Sequence, residues 1–214
     1  MQTDMTVGKP MKMILDFTIP VFIGNVFQQF YNMADAIIVG KFVGTKGLAA
    51  VGSTGTIMFL IIGFLTGLTA GFTVLTSQKF GAGKMDEMRQ SVGNAALLSI
   101  IISVIMTAVS MVGMHSLLTL MHTPEDIFQD AYTYIMIISA GIIATIFYNL
   151  FSSYLRAVGN SKIPLVFLVF SAALNVILDL VLIINFKMGV AGAALATIIS
   201  QGVSAILCLV YIYI

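Results

Sequence analysis

Two carboxylates stand in stretches that are otherwise apolar: Asp35 in the run Met13–Ile38 and Asp179 in the run Ile163–Phe186. An acid at the centre of a bilayer costs about 2.5–3.5 kcal/mol even on the lenient insertion scale, so it marks a function or a specific tether between helices. Function is the better reading for this pair, because a tether needs no second acid and is weakened by one. The chemistry on offer is that of hard oxygen. Asn175 lies one helical turn before Asp179 and shares its face, and Thr197 adds a hydroxyl. Carboxylate, amide and hydroxyl suit a proton or a small hard cation such as Na+. No thiolate or imidazole stands with them to hold a softer metal. Asp16, near the start of the first run, reads as interfacial.

The elements that must position these groups are membrane spans. Hydrophobic residues make up 59% of the 214 and charged residues 9%, against roughly a quarter charged in soluble domains. So few charges cannot cover the surface of a soluble protein of this size. A net charge of +1 offers no field for nucleic acid. A helix needs about 20 apolar residues to cross a bilayer. Six runs qualify: 13–38, 48–78, 92–114, 128–154, 163–186 and 190–214. They are too long and too continuously apolar for barrel strands. The expectation is an all-α polytopic membrane protein, a single bundle of six transmembrane helices with short connections. No cofactor is implied beyond a coupling ion.

Orientation follows from the basic residues of the short connections. Lys9, Lys12, Lys79, Lys84, Arg89, Arg156 and Lys162 fall on the side where the chain begins, and Lys41, Lys46 and Lys187 on the other. That asymmetry puts the N-terminus in the cytoplasm, with the cell membrane as the location. His115 and His122 fall in a connection without Lys or Arg and read as solvated. The single cysteine, Cys208, sits in an apolar run and reads as a packing residue. The stretch Gly81-Ala82-Gly83-Lys84 lacks phosphate-loop spacing and reads as a turn.

Depth and face bring the polar residues together. Asp35, Asp179 and Thr197 each lie roughly 9–11 Å below the outer end of their helices, at about 1.5 Å per residue. Asn25, Gln28, Asn32 and Asp35 fall within an arc of about 80° on the first span. Ser171, Asn175 and Asp179 form a second stripe, and Thr197, Gln201 and Ser204 a third. One such stripe is often glue between helices. Three, two of them ending in a carboxylate, describe the lining of a hydrated cavity. Small residues supply packing: Gly63, Gly67 and Gly71 in the second span, and Gly189, Ala191 to Ala194 and Ala196 opening the sixth. Pro20 should bend the first span.

Four segments resemble the multidrug and toxic compound extrusion (MATE) family. They are Gln28 to Gly40 with Leu48 to Gly52, Gln78 to Gly83, Arg156 to Pro164, and Gly189 to Ala194. The resemblance covers nearly the whole chain and implies one six-helix lobe of a twelve-helix fold, its second lobe missing from this chain. It implies efflux of bulky, often cationic organic compounds driven by inward Na+ or H+. It also implies a cation site at Asp35, Asn175, Asp179 and Thr197, with Tyr134 and Asn149 of the fourth span as neighbours and Gln28, Asn32 and Gln201 along the cavity. The last run closes at Ile214 without a polar anchor, as expected of a fragment or half-transporter. Two alternatives stand beside this reading. A lipid-linked oligosaccharide flippase of the same superfamily would carry basic residues in its cavity, and no Lys or Arg lies deep in a run here. A membrane-embedded aspartyl protease would carry a Gly-x-Gly-Asp signature, which both acids lack.

Overall fold

The computed structural model describes residues 10–213; Lys9 and Ile214 lie outside the described residues. Within them the fold is helical. The helices are α1 (Pro10–Phe42), α2 (Thr45–Ser53), α3 (Gly55–Gly81), α4 (Met85–Leu120), α5 (Glu125–Ala140), α6 (Ile142–Ala157), α7 (Lys162–Leu180) and α8 (Val190–Tyr213). A π-helical turn, Val181–Asn185, extends α7. Lipid offers no partner for backbone groups, which is why a membrane chain satisfies them within helices. Five of these elements are long and apolar enough to cross a bilayer, and the bent pair α5–α6 is so when taken together as one span.

Two of the six expected runs are broken. The run 48–78 divides at Thr54 into α2 and α3. The Thr54 hydroxyl bonds the Val51 carbonyl at 2.7 Å, and its amide bonds the same carbonyl at 3.2 Å, so the chain takes a tighter turn before α3 starts. The run 128–154 divides at Gly141, where α5 and α6 meet at 49°. The cause is a close approach by α8. A Cβ on Gly141 would lie 2.3 Å from a side-chain carbon of Ile198. α1, in contrast, continues as one helix through Pro20.

The glycines divide into two kinds. A Cβ on Gly63, Gly67 or Gly71 would meet nothing within 4 Å, so the row does not pack inside the bundle as the sequence suggested. α3 buries Ile57, Ile61, Leu65, Thr69 and Thr76 instead. Leu65 and Gly67 are two residues apart, about 200° round the helix, which turns the glycine row to the outer face. The small residues of α8 behave as expected: Ala193, Ala194 and Ala196 are fully buried. Gly83 adopts φ 71° in the turn between α3 and α4. Lys79 and Lys84 both pair with Glu87 beside that turn, and Asp86 and Glu87 complement the N-terminus of α4.

Two apolar clusters hold the bundle. One joins Leu65 of α3, Leu118 of α4, Ile135 of α5 and Ile146 of α6. The other joins Val39 of α1 and Tyr134 of α5 to Ile183 and to Val190, Ala193 and Ala194 of α8. α1 packs chiefly on α7, α7 on α8, and α8 on α5 and α6. Large apolar side chains such as Phe22, Phe59 and Val112 remain exposed, as suits helices solvated by lipid tails, where packing rather than hydrophobic burial drives association.

The two glycine environments give opposite expectations. Gly141→Val should destabilise the detergent-solubilised protein by about 1–3 kcal/mol through overpacking against Ile198. Gly67→Ala should be neutral or raise stability by up to about 1 kcal/mol. Thermal unfolding of the two variants beside the parent measures this, and equal midpoints would remove the steric account of the break at Gly141.

Candidate cation site and cavity

Asp35 on α1 and Asp179 on α7 turn toward each other, and their carboxyl groups come within hydrogen-bonding reach. Asp179 and Asn175 are fully buried. Thr197 meets them from α8. Its hydroxyl donates to the Ala193 carbonyl at 3.0 Å, and accepts from the Tyr31 hydroxyl at 3.4 Å and from Asn175 Nδ2 at 3.5 Å. The amide of Asn175 is thereby oriented with its oxygen inward. Asp35 Oδ1, both carboxylate oxygens of Asp179 and Asn175 Oδ1 are buried and have no donor among the described residues. No described Lys or Arg forms an ion pair with either acid. Buried anionic oxygens without donors are strongly disfavoured, and two carboxylates in contact cannot both stay charged without compensation. A shared proton or a small cation supplies that compensation.

The local sequence explains the convergence. Asn175 and Asp179 are spaced i, i+4 and stack on the face that α7 turns inward. Thr197 is also i+4 from Ala193, so its hydroxyl reaches back to the preceding turn, as is usual for threonine in a helix. Tyr134 of α5 is buried close to both acids. Tyr31 was missed in the sequence, although it precedes Asp35 by one turn and lies about 40° from it on the helical wheel. Its aromatic ring masked a hydroxyl that belongs to the polar face.

The remaining expected residues line a cavity that Asp35 also borders. This cavity, of about 420 Å³, runs down the inside of the bundle between α1, α3 and the helices α5 to α8. Asp35 lines it, while Asn175 and Asp179 stand behind its wall. Gln28 and Asn32 line it too and hydrogen-bond each other at 3.5 Å. Gln201 accepts from Thr145, and Asn149 donates to the Thr145 carbonyl at 2.9 Å. Tyr134 and Asn149 belong to different helices on either side of Gly141; Tyr134 stands close to both acids, and Asn149 lines the cavity with Asp35. Arg156, which the sequence placed in the connection between the fourth and fifth runs, sits in the last turn of α6 and lines the cavity.

Apolar helices thus enclose a cavity lined by both polar and aliphatic side chains, with Asp35 at one end of it. The MatE family model matches residues 20–181, and the chain belongs to that family, whose members are transporters and not enzymes. A probable multidrug resistance protein of Bacillus subtilis, YpnP, is 34% identical over 209 residues, or 98% of this chain and 47% of its own length. A solved transporter of the MOP superfamily from Pyrococcus furiosus superposes with a TM-score of 0.90 at 29% identity, covering 97% of this chain and 46% of that one. A solved multidrug resistance MATE transporter in an outward-facing conformation gives the same TM-score and identity. The chain spans about half the length of the relatives it matches.

Thr197 holds the site in register through two interhelical hydrogen bonds. Thr197→Val, nearly isosteric, should lose both, at about 0.6 kcal/mol each in a membrane protein. The expected result is a loss of about 1 kcal/mol in unfolding measurements. A stability equal to that of the parent would show that the Tyr31 and Asn175 contacts hold nothing.

Proposed function

We propose that this chain is one lobe of a secondary active transporter that exports organic, often cationic, compounds in exchange for inward Na+ or H+. The observation that carries the reading is the set of four buried acceptor oxygens on Asp35, Asp179 and Asn175 without a donor. Such a set binds a proton or Na+ with equal chemical logic, since both are hard and positively charged. Thr197 in its present rotamer spends both lone pairs on Tyr31 and Asn175, so it orients Asn175 and would join an ion only by releasing one of them. Tyr134 covers the site from α5.

Asp35 links the site to the cavity, because it touches both the buried oxygens and the cavity wall. Cation binding removes the repulsion between the acids and lets α1 settle against α7. Release of the cation restores the repulsion and favours α1 moving away, into the cavity. A substrate held against α1 senses that difference, and coupling follows only from such a difference in affinity between two states. One monovalent cation moving inward across about 100 mV yields about 2.3 kcal/mol, enough for roughly a 50-fold gradient of a neutral substrate. The location that suits this exchange is the cell membrane, with the N-terminus cytoplasmic by the distribution of Lys and Arg. The substrate chamber is completed by a second six-helix lobe.

Asp35→Asn and Asp179→Asn should each reduce ion-driven efflux at least tenfold at equal expression, with membrane insertion intact. Proteoliposomes given a Na+ gradient or a pH gradient in turn identify the coupling ion. Normal efflux by both variants would remove the acids from the mechanism. Residues 1–214 expressed alone should insert without transporting, since one wall of the chamber is absent; efflux by the purified monomer would refute the two-lobe requirement.

A further inference from the structure

Arg156 and Asp35 are the only charged residues that line the cavity among those described, and they stand at opposite ends of it. Arg156 lies beside the start of α7, while Asp35 meets Asp179 near its end; the 17 residues from Lys162 to Asp179 span about 25 Å at about 1.5 Å per residue. The cavity is therefore dipolar, with an acid at one end and a guanidinium at the other.

The guanidinium is underused. Of its five N–H donors, one hydrogen bond is made within the fold, to Ser153 Oγ at 3.3 Å. The ion pairs of the described residues involve other side chains, so no described carboxylate neutralises Arg156. Its neighbours carry hydroxyls. Ser152 lines the same end of the cavity, is 2% exposed, and its Oγ has no well-formed hydrogen bond, although the Tyr148 hydroxyl and the Cys208 thiol stand close by. Tyr148 and Ser161 complete the wall. Ser161 precedes the 19-residue α7 and makes no side-chain cap. Asn160 Oδ1 accepts from the Ile163 amide and Pro164 has no amide hydrogen, so α7 contributes the positive end of its dipole rather than a row of free donors.

We propose that this end of the cavity is a subsite for an acidic group, a carboxylate, sulfonate or phosphate, on an amphiphilic organic ligand. Arg156 supplies the charge-assisted hydrogen bonds, for which a planar guanidinium is suited to two oxygens at once, and the hydroxyls of Ser152 and Tyr148 supply neutral ones. The apolar body of the ligand lies along Ile62, Leu165 and Leu168. A volume of about 420 Å³ falls in the range of drug-sized sites. The consequence deepens the transport reading and rests on it: acidic and zwitterionic compounds join the cationic ones as cargo, the acid toward Arg156 and any basic group toward Asp35.

The test is direct binding, which needs no ion gradient and so succeeds or fails independently of the transport reading. The purified protein, in nanodiscs of phosphatidylcholine, is titrated with three probes: 4-methylumbelliferyl phosphate, its uncharged glucoside counterpart, and the cation ethidium. The phosphate ester should bind at least tenfold more tightly than the glucoside. Arg156→Gln should abolish that preference while leaving glucoside and ethidium affinities within twofold, and Arg156→Lys should restore part of it. Ser152→Ala, which perturbs the fold least, should weaken the phosphate ester about threefold. Suppression of phosphate-ester binding by phosphatidylglycerol in the nanodisc would assign the same anion subsite to a lipid headgroup; no suppression would assign it to soluble compounds. Unchanged phosphate-ester affinity in Arg156→Gln, or equal weakening of all three probes, would overturn the proposal.

Discussion

The contact on which the rest depends is the meeting of Asp35 and Asp179 inside the bundle. Two carboxylates in hydrogen-bonding reach, with Asn175 adding a third acceptor group and no donor answering them, form an arrangement that is unfavourable by itself. Desolvation penalises each charge and proximity penalises the pair. The surroundings hold it in place all the same. α7 and α8 pack closely, Thr197 ties Tyr31 and Asn175 together, and the small residues of α8 let backbones approach. The result is a closely packed frame around an electrostatically incomplete centre, to which a single positive charge would make a large difference.

Rigidity is distributed unevenly. α8 is the buried axis of the lobe, with contacts to α5, α6 and α7. α1 rests mainly on α7 and borders the cavity along its other side. It also carries Asp35, the acid shared by the oxygen cluster and the cavity. The least supported long helix thus holds Asp35, and the best supported one holds the Thr197 hydroxyl that bonds Tyr31 and Asn175. The π-helical turn at Val181–Asn185 begins two residues after Asp179. Such turns interrupt the regular ladder and are frequent beside functional sites.

The charge layout of the cavity follows from where helices end. Asp35 is late in α1 and Arg156 is late in α6, but the two helices end on opposite sides of the bundle. Each therefore carries its charged group toward a different mouth. Between them the wall carries both amides and hydroxyls and aliphatic side chains.

Much of this was legible in the sequence, because a bilayer permits few solutions. Lengths of apolar runs dictate helices, and an acid within such a run stands out against its cost. Helical spacing alone put Asn175 and Asp179 on one face, and depth alone set Asp35 and Thr197 level with them. The MATE-like motifs added the family and the lobe. What the sequence left open was decided by side chains from distant elements. The break at Gly141 exists because Ile198 arrives there from α8, 57 positions along the chain, and no local pattern announces that approach. The glycine row of α3 faces outward because Leu65 and its partners claim the inner face. Tyr31 joined the site because Thr197 offered a lone pair. Arg156 left the loop for the cavity because α6 runs on to Ala157. Periodicity fixes which residues share a face of one helix; only packing among helices decides what that face meets.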